Sequence, residues 1–273
     1  MLTNRIRTAL AALLLSVVGA CFAGEPVDAV SASTRALYPD RPFRIGIIEL
    51  SDTHRIKGMV ERSVNELRKA FYPFEISIKT YSSRDLEEAI EKKEVDAFIA
   101  SSGFYWRMRK FGARDVATMI SVNSPDPNHT SAITFITRSD NTSIATVEDM
   151  KGKRLSASYP TAFMGYRIGL AEIAAKGFDP ERFFSSVTFA DAPGIDPIAA
   201  KVLSGQADVA FVQSCWLETL SQEERSRFRV IAPITGGASK CVRSTELYPN
   251  VTVAVLENSP AGAAREITKV LLS

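Results

Sequence analysis

Apolar positions along the chain switch between two periods. FRIGIIEL (Phe43–Leu50), with three isoleucines, has the length and β-branched content of a buried strand. Ile56, Met59, Val60, Val64, Leu67 and Phe71 then recur at helical spacing until Pro73, where the missing N–H and fixed φ end a helix. Phe74 to Tyr81 alternates like a half-buried strand, Asp85 to Lys93 puts Leu86, Ala89 and Ile90 on one helical face, and Val95 to Ala100 is again strand-like. Strand, helix, strand, helix, strand predicts parallel pairing in an α/β fold. The second half repeats the rhythm. Strands are expected at Gly152–Ser158, Val187–Ala190 and Asp208–Val212, with helices at Met164–Lys176, closed by Gly177, and at Pro197–Leu203. Ile133–Arg138 is a strand between the halves. Strands at Val230–Pro233 and Val251–Leu256 and a helix over Ala261–Leu272 follow.

The halves also share local sequence. AIEKKEVDAFIASSGF (Ala89–Phe104) and VLSGQADVAFVQSCW (Val202–Trp216) both run helix, turn, Asp, buried strand and a Ser-containing exit. Asp96 aligns with Asp208, Ser102 with Ser214 and Phe104 with Trp216. This predicts two similar lobes, each ending a strand at a loop that faces a ligand, because ligands of open α/β sheets sit beyond the carboxyl ends of strands. The boundaries read as lobe 1 over 41–135 plus 230–273 and lobe 2 over 136–229, joined by two crossings that make a hinge and an interlobe cleft.

The N-terminus reads as an address. Arg5 and Arg7 precede the apolar run Ala9–Val18, followed by small residues, the layout of a secretory signal over 1–23. The run is about half the roughly twenty residues that a membrane span needs. Two cuts fit. Val18-Gly19-Ala20-Cys21 resembles a lipobox that would leave Cys21 lipidated, and Cys21-Phe22-Ala23 is an ordinary site that would release Gly24. Gly24 to Asp40, rich in Ala, Ser and Pro, reads as a linker. Either cut leaves Cys215 and Cys241, an even count in an oxidising compartment. A structural disulfide leads, with two free thiols and a redox pair as the other readings.

Charge then narrows the function. Thirty-three Lys and Arg against 31 Asp and Glu give a net charge of +2, which excludes a strongly basic nucleic-acid binder. Basic residues between Arg107 and Arg114 read as a solvated helix face. Two His and three Cys offer no evident zinc set. The chain has no GxxxxGKS, GxGxxG, GxSxG or HExxH motif, so no metal or cofactor is expected and no catalytic set stands out. Cys215 with His129 is the single nucleophile–base pair on offer.

EVDAFIASSGFYWRMRKFGARDVATM, TVEDMKGKRLSAS and GQADVAF resemble segments of the type 2 periplasmic solute-binding proteins, in their phosphate/phosphonate-binding group. SYPTAFMGYRIG, VQSCWLE and CVRSTELYP (Cys241–Pro249) are most similar to the periplasmic part of tetrathionate-sensing histidine kinases. The resemblance implies a two-lobed α/β fold and a small-molecule anion bound between the lobes. It also departs at one place. Phosphonate binders of this group carry Ser-Thr-Ser before a Gly-Tyr at a lobe 2 helix start, whereas Gly165-Tyr166 follows Ala162-Phe163-Met164. Backbone N–H groups at that helix start, with the positive dipole end, still suit an anion. Thr161 is a contact or an N-cap. The candidate ligand-binding set is Thr53, Ser101, Ser102, Tyr105, His129, Thr161, Ala162, Phe163, Gly165, Tyr166, Ser214 and Cys215. Arg243, near Cys241, pairs with an anion or is a surface residue.

The leading function is an exported, periplasmic, monomeric binding protein that is not an enzyme. It presents a sulfur oxyanion or a phosphonate-like solute to an ABC permease. The alternative is a sensory domain or subunit whose partner is a histidine kinase. No later apolar run approaches eighteen residues, which favours the free binding component.

Overall fold

The computed structural model describes residues 41–48, 61–62, 64–69, 71, 75–120, 122–192 and 194–272. The signal and linker segments, Thr53 and the start of the helix expected from Ile56 lie outside these. The described residues from Pro42 onwards belong to one compact unit.

Ten strands form two five-stranded sheets. The first contains β1 (Phe43–Ile48), β2 (Ile76–Tyr81), β3 (Ala97–Ser101), β4 (Arg114–Thr118) and β10 (Val251–Val255), in the order β2-β1-β3-β10-β4. The second contains β5 (Ile133–Arg138), β6 (Arg154–Ala157), β7 (Ser186–Phe189), β8 (Val209–Gln213) and β9 (Phe228–Ile231), in the order β7-β6-β8-β5-β9. The two orders are the same pattern. Three strands run parallel, a fourth lies antiparallel to the third, and a fifth lies antiparallel to the fourth. In each sheet the fourth strand, β10 or β5, is the one the chain reaches by crossing from the other. All of β5 and β9 lie in the second sheet, so the crossings fall at 119–132 and 232–250 rather than at 135 and 230.

The aligned aspartates explain why the repeat is structural. Asp96 Oδ2 accepts from the Arg44 backbone N–H at 2.9 Å and Nε at 3.1 Å, and Oδ1 accepts from Nη2 at 3.0 Å. Asp208 takes the same three atoms of Arg154 at 2.9, 3.0 and 2.6 Å. Each clamp staples the start of the third strand to the start of the first, at the end of the sheet away from the strand exits.

The central strands β3 and β8 are buried up to their half-buried last residues, Ser101 and Gln213, while the edge strand β2 is half-exposed. The first core gathers Leu86, Ile90, Phe98, Phe104, Met108 and Leu256. The second sheet is covered on both faces. Phe135, Met150, Leu155, Ile173, Phe183 and Phe211 lie in one cluster, and Ile136, Ile198, Val202, Val212 and Leu217 in the other. Phe135 and Phe211 pack at 4.6 Å between ring centroids. Helical residues between 61 and 71 bury Val64, Leu67 and Phe71, and Phe71 meets Phe43 of β1 at 5.5 Å.

Two local features depart from the pattern reading. The basic stretch is a helix only over Ser102–Met108. A 3₁₀ turn, Arg109–Phe111, follows, and Arg114 then opens β4. That strand is partly exposed over its whole length, so no apolar alternation announced it. The lobe 2 helix is α-helical over Ile168–Ala175 and opens with a π turn, Phe163–Arg167. There the Arg167 N–H donates to the Ala162 carbonyl at 2.9 Å. Cys215 and Cys241 form a disulfide.

Candidate functional site

A cleft of about 1100 Å³ lies between the sheets. Its first wall carries Ile48, from the exit of β1, with Ser82, Ser83, Arg84 and Glu87 after β2, and Arg107. The facing wall carries Ser158, Tyr159 and Thr161 after β6 and Ala190 to Ala192 after β7. Both walls are therefore built at the carboxyl ends of parallel strands, where the protein presents backbone and side-chain donors to a ligand.

Local chemistry places these groups. The Ser82 hydroxyl accepts the Asp85 N–H at 3.2 Å and starts the helix Ser83–Glu91, as an N-cap does. That helix turns Arg84, Glu87, Glu88 and Glu91 to the cleft. Arg107 reaches across from the next helix, donating to the Ser83 hydroxyl at 3.2 Å and pairing with Glu87 at 3.7 Å. Lys110 also holds Glu87, at 3.0 Å, and Lys92 holds Glu88 at 2.6 Å. The Lys92 ammonium keeps the Glu88 carboxyl below its ordinary pKa. Among the described residues Arg84 makes no ion pair, so it is the cation on this wall left to an incoming charge. Opposite, Tyr159 is 38% exposed, and desolvation by the surrounding protein raises its phenol pKa. It offers a neutral ring and hydroxyl. Asp191 is paired with Lys201 at 3.1 Å.

Of the residues singled out from sequence, Thr161 lines this cleft. The strand-exit hydroxyls are engaged elsewhere. Ser101 caps the next helix by accepting the Phe104 N–H at 3.3 Å. Ser102 donates to the Pro249 carbonyl at 2.5 Å, and its N–H donates to the Asn250 carbonyl at 2.8 Å. Ser214 repeats this in the second lobe. Its hydroxyl accepts the Ala132 N–H at 3.0 Å, and its N–H donates to the Ala132 carbonyl at 2.9 Å. Tyr105 donates to Asp115 Oδ1 at 2.7 Å, and burial together with that bond raises the phenol pKa. His129 sits in the first crossing, bonded to Asp126 at 2.7 Å and half-exposed.

The π turn brings the remaining candidates to the lobe boundary. Phe163 packs against Gly103 of the first lobe so closely that a Cβ there would collide with its ring. Its other face meets Tyr248 of the second crossing edge-on at 6.3 Å. Ala162 is buried. Gly165 is glycine because a Cβ would strike the Ser158 side chain. Tyr166 packs edge-on to Phe189 at 5.3 Å within the lobe 2 core. Cys215 is tied up in its disulfide and His129 in its bond to Asp126, so they form no nucleophile–base pair. Thr53 lies outside the described residues.

Sequence reasoning passed over Ser82, Ser83, Arg84, Arg107, Ser158, Tyr159 and Asp191. The signal for Ser82, Ser83 and Ser158 was present, since each follows a strand just as Ser101 and Ser214 do. Arg84 had no signal beyond lying on the helix after β2. Among the described residues no group of three His, Cys, Asp or Glu side chains assembles for a metal, and no helix is long and apolar enough to cross a membrane.

A family model described as the periplasmic substrate-binding protein of phosphonate ABC transporters matches residues 45–273. The tetrathionate sensor histidine kinase TtrS of Salmonella typhimurium is 29% identical over 141 residues, 51% of this chain and 23% of that protein. The chain thus spans about a quarter of the length of this curated relative. XAC2383 from Xanthomonas citri, solved with chloride, superposes with a TM-score of 0.64 at 14% identity, covering 84% of this chain and 82% of that one. PhnD1 from Prochlorococcus marinus, solved with methylphosphonate, gives 0.59 at 12% identity, covering 85% and 84%. At such identities the solved structures establish the fold, the two-lobed type 2 architecture of periplasmic binding proteins.

Proposed function

The chain belongs to the family of periplasmic substrate-binding proteins of phosphonate ABC transporters, and from that premise we propose that it captures a small organic or sulfur oxyanion between its lobes. A secretory signal over 1–23 exports it, and the closed form is delivered to a membrane permease. The observation that carries this reading is the cleft itself. Strand exits from both sheets face one another there, and Arg84, which makes no ion pair among the described residues, stands beside the hydroxyls of Ser82 and Ser83 and opposite Ser158 and Thr161. The guanidinium supplies the charge-assisted contact and the hydroxyls supply orientation. Contacts made from both walls at once favour the closed state, which is all that ligand-driven closure requires.

The Ala-Phe-Met sequence at 162–164 weighs against a bare phosphonate. Phe163 fills the space over Gly103, and Ala162, Phe163 and Met164 carry no hydroxyl to cradle a PO₃ group. A sulfur oxyanion or an anion with an apolar body, lying on the Tyr159 ring, fits the wall chemistry better. The test is calorimetric titration of the exported form, Gly24 to Ser273, with tetrathionate, thiosulfate, sulfite, alkylphosphonates, sulfonates and carboxylates. Arg84→Gln should weaken the responding ligand by about tenfold, the worth of roughly 1.4 kcal/mol. Unchanged affinity in that variant would remove Arg84 from the site, and phosphonates as the sole responders would overturn the ligand class.

A second reading draws on one observation. The curated relative is a sensor kinase, and VQSCWLE and CVRSTELYP resemble that subgroup. In that reading the same closure signals to a histidine kinase instead of loading a permease. Co-purification from membranes with a kinase rather than a permease would decide for it.

A further inference from the structure

The second crossing opens with a hairpin. Ile234 and Arg243 exchange both backbone bonds, at 2.7 and 3.1 Å, and the tip holds Gly236 and Gly237 at φ +79° and +75°. The hairpin base is fixed to the second lobe from several sides. Cys241 is bonded to Cys215, the Val242 N–H donates to Glu218 Oε1 at 2.9 Å, the Thr134 hydroxyl donates to the Val242 carbonyl at 3.0 Å, and the Ser244 hydroxyl donates to the Ile231 carbonyl at 2.6 Å.

Arg243 is held inside this frame, 7% exposed. Arg44 and Arg154 each clamp a carboxylate with two side-chain N–H groups, but Arg243 faces no carboxylate among the described residues. Among the described residues its guanidinium makes one hydrogen bond, from Nη1 to the Gly236 carbonyl at 3.3 Å, and Nε is sealed from solvent with no partner there. A guanidinium carries five donors and cannot shed its charge. Buried arginines are almost always paired for that reason. The amides of Gly236 and Gly237 likewise donate to no acceptor among the described residues. Gly237 leaves space beside the fork, where a Cβ would stand 3.9 Å from Nη2. Arg243 does not line the interlobe cleft, so the solute proposed above leaves it unsatisfied.

We infer that Arg243 is the centre of a second anion site, in the hinge hairpin and separate from the cleft, that takes a small tetrahedral oxyanion such as sulfate or hydrogen phosphate. Two oxygens of such an ion match the planar fork, and its charge compensates a cation that folding has withdrawn from water. Because the hairpin belongs to the chain crossing between the sheets, an ion there bears on the segment that must bend when the lobes close.

The test is thermal unfolding of the purified protein at constant ionic strength, titrated with sodium sulfate against sodium chloride. The expected result is a saturable upward Tm shift of about 3–6 °C at ten times the dissociation constant. Arg243→Met keeps the aliphatic stem packing and removes the charge. It should abolish the shift and unfold no lower than the wild type in sulfate-free buffer. Arg84→Gln should keep the shift, which separates this site from the cleft. A wild-type protein without a saturable sulfate response, or a response that survives Arg243→Met, overturns the inference. Should that variant fail to fold, Arg243→Lys keeps the charge without the fork. A sulfate midpoint at least fivefold higher supports the site, and an unchanged midpoint overturns it.

Discussion

The two Arg–Asp clamps share the same three Arg–Asp bonds but differ in burial, and Asp96 also accepts from Asn258, so together they compare the cost of breaking an enclosed and an open charge pair. Asp96 is fully enclosed beside an Arg44 side chain that is 29% exposed, whereas Asp208 is 28% exposed beside an Arg154 that is 46% exposed. Replacing either aspartate by asparagine preserves shape but turns one acceptor into an NH₂. Among the described residues at least four donors reach the Asp96 carboxylate, two on each oxygen, Asn258 Nδ2 at 2.9 Å joining Arg44 on Oδ1. Either orientation of an amide at position 96 therefore points N–H at N–H, and no water can enter to relieve it. Breaking a pair this enclosed should cost about 3–5 kcal/mol. At position 208 water reaches the site, and the loss should be about 1 kcal/mol. Urea unfolding, followed by far-UV circular dichroism and by Trp216 fluorescence as a reporter of the second lobe, measures both. Equal costs, or a larger cost for Asp208→Asn, would refute burial as the deciding term. The pH dependence supplies a second check on sign. The Arg154 hydrogen bond holds the Asp208 carboxyl below its ordinary pKa. Its stabilisation is therefore present above the unfolded value of about 3.9 and fades as pH falls below it. Wild type and Asp208→Asn should differ at pH 7, and the difference should shrink below about pH 4 and vanish as pH falls through the lowered native pKa of Asp208.

Three further outcomes follow from the packing. Gly103→Val should drive its new side chain into the Phe163 ring and separate the lobes, seen as a larger radius of gyration in solution scattering; adding Phe163→Ala should reverse the change, and an unaltered radius in the single variant would count against this contact. Replacing both Cys215 and Cys241 by Ser reopens a loop with a sequence separation of 26 and should lower stability by about 3.5 kcal/mol in the chain-entropy account, measured by urea midpoint. Phe211→Ala removes a fully buried ring that packs on Phe135, Phe184 and Gly169, and should cost about 3–5 kcal/mol; a loss under 1 kcal/mol would mean that the cavity collapses freely.

The fold was legible because its signals are periodic and repeated. Buried central strands read as apolar runs, and the alignment of Asp96 with Asp208 anticipated a duplicated clamp without naming the arginines that complete it. β4 was not legible, since an edge strand with both faces partly wet has no alternation to detect. The helix after Thr161 was placed, but its π opening depends on the carbonyl of Ala162 taking the fifth N–H along, Arg167, which no residue pattern announces. The site was half legible. Strand exits do line the cleft, yet sequence could not tell which exits face it. Arg243 shows the same limit. Nothing in CVRSTELYP distinguishes an enclosed guanidinium from a surface one, because the enclosure comes from a hairpin whose two sides are nine residues apart.

The duplicated topology also accounts for where recognition is left to occur. In each lobe the third strand of the parallel set, β3 or β8, pairs with the strand that arrives from the other lobe. Its exit serine is spent on that neighbour, Ser102 on Pro249 and Asn250, Ser214 on Ala132. These hydroxyls sit at the crossings, and freeing them for a ligand would leave the half-buried Pro249 carbonyl or the buried Ala132 N–H without its partner, the latter at a cost of about 1–3 kcal/mol. A ligand that took them would loosen the hinge it must close. The exits of β2, β6 and β7 carry no such duty, since no crossing strand lies beside them. Ser82, Ser83, Arg84, Ser158 and Thr161 can therefore exchange water for ligand without disturbing the connection between the sheets. This division, central exits for the hinge and flanking exits for the solute, lets one strand order serve both lobes while the cleft walls differ in chemistry, charged on the first and hydroxyl-aromatic on the second.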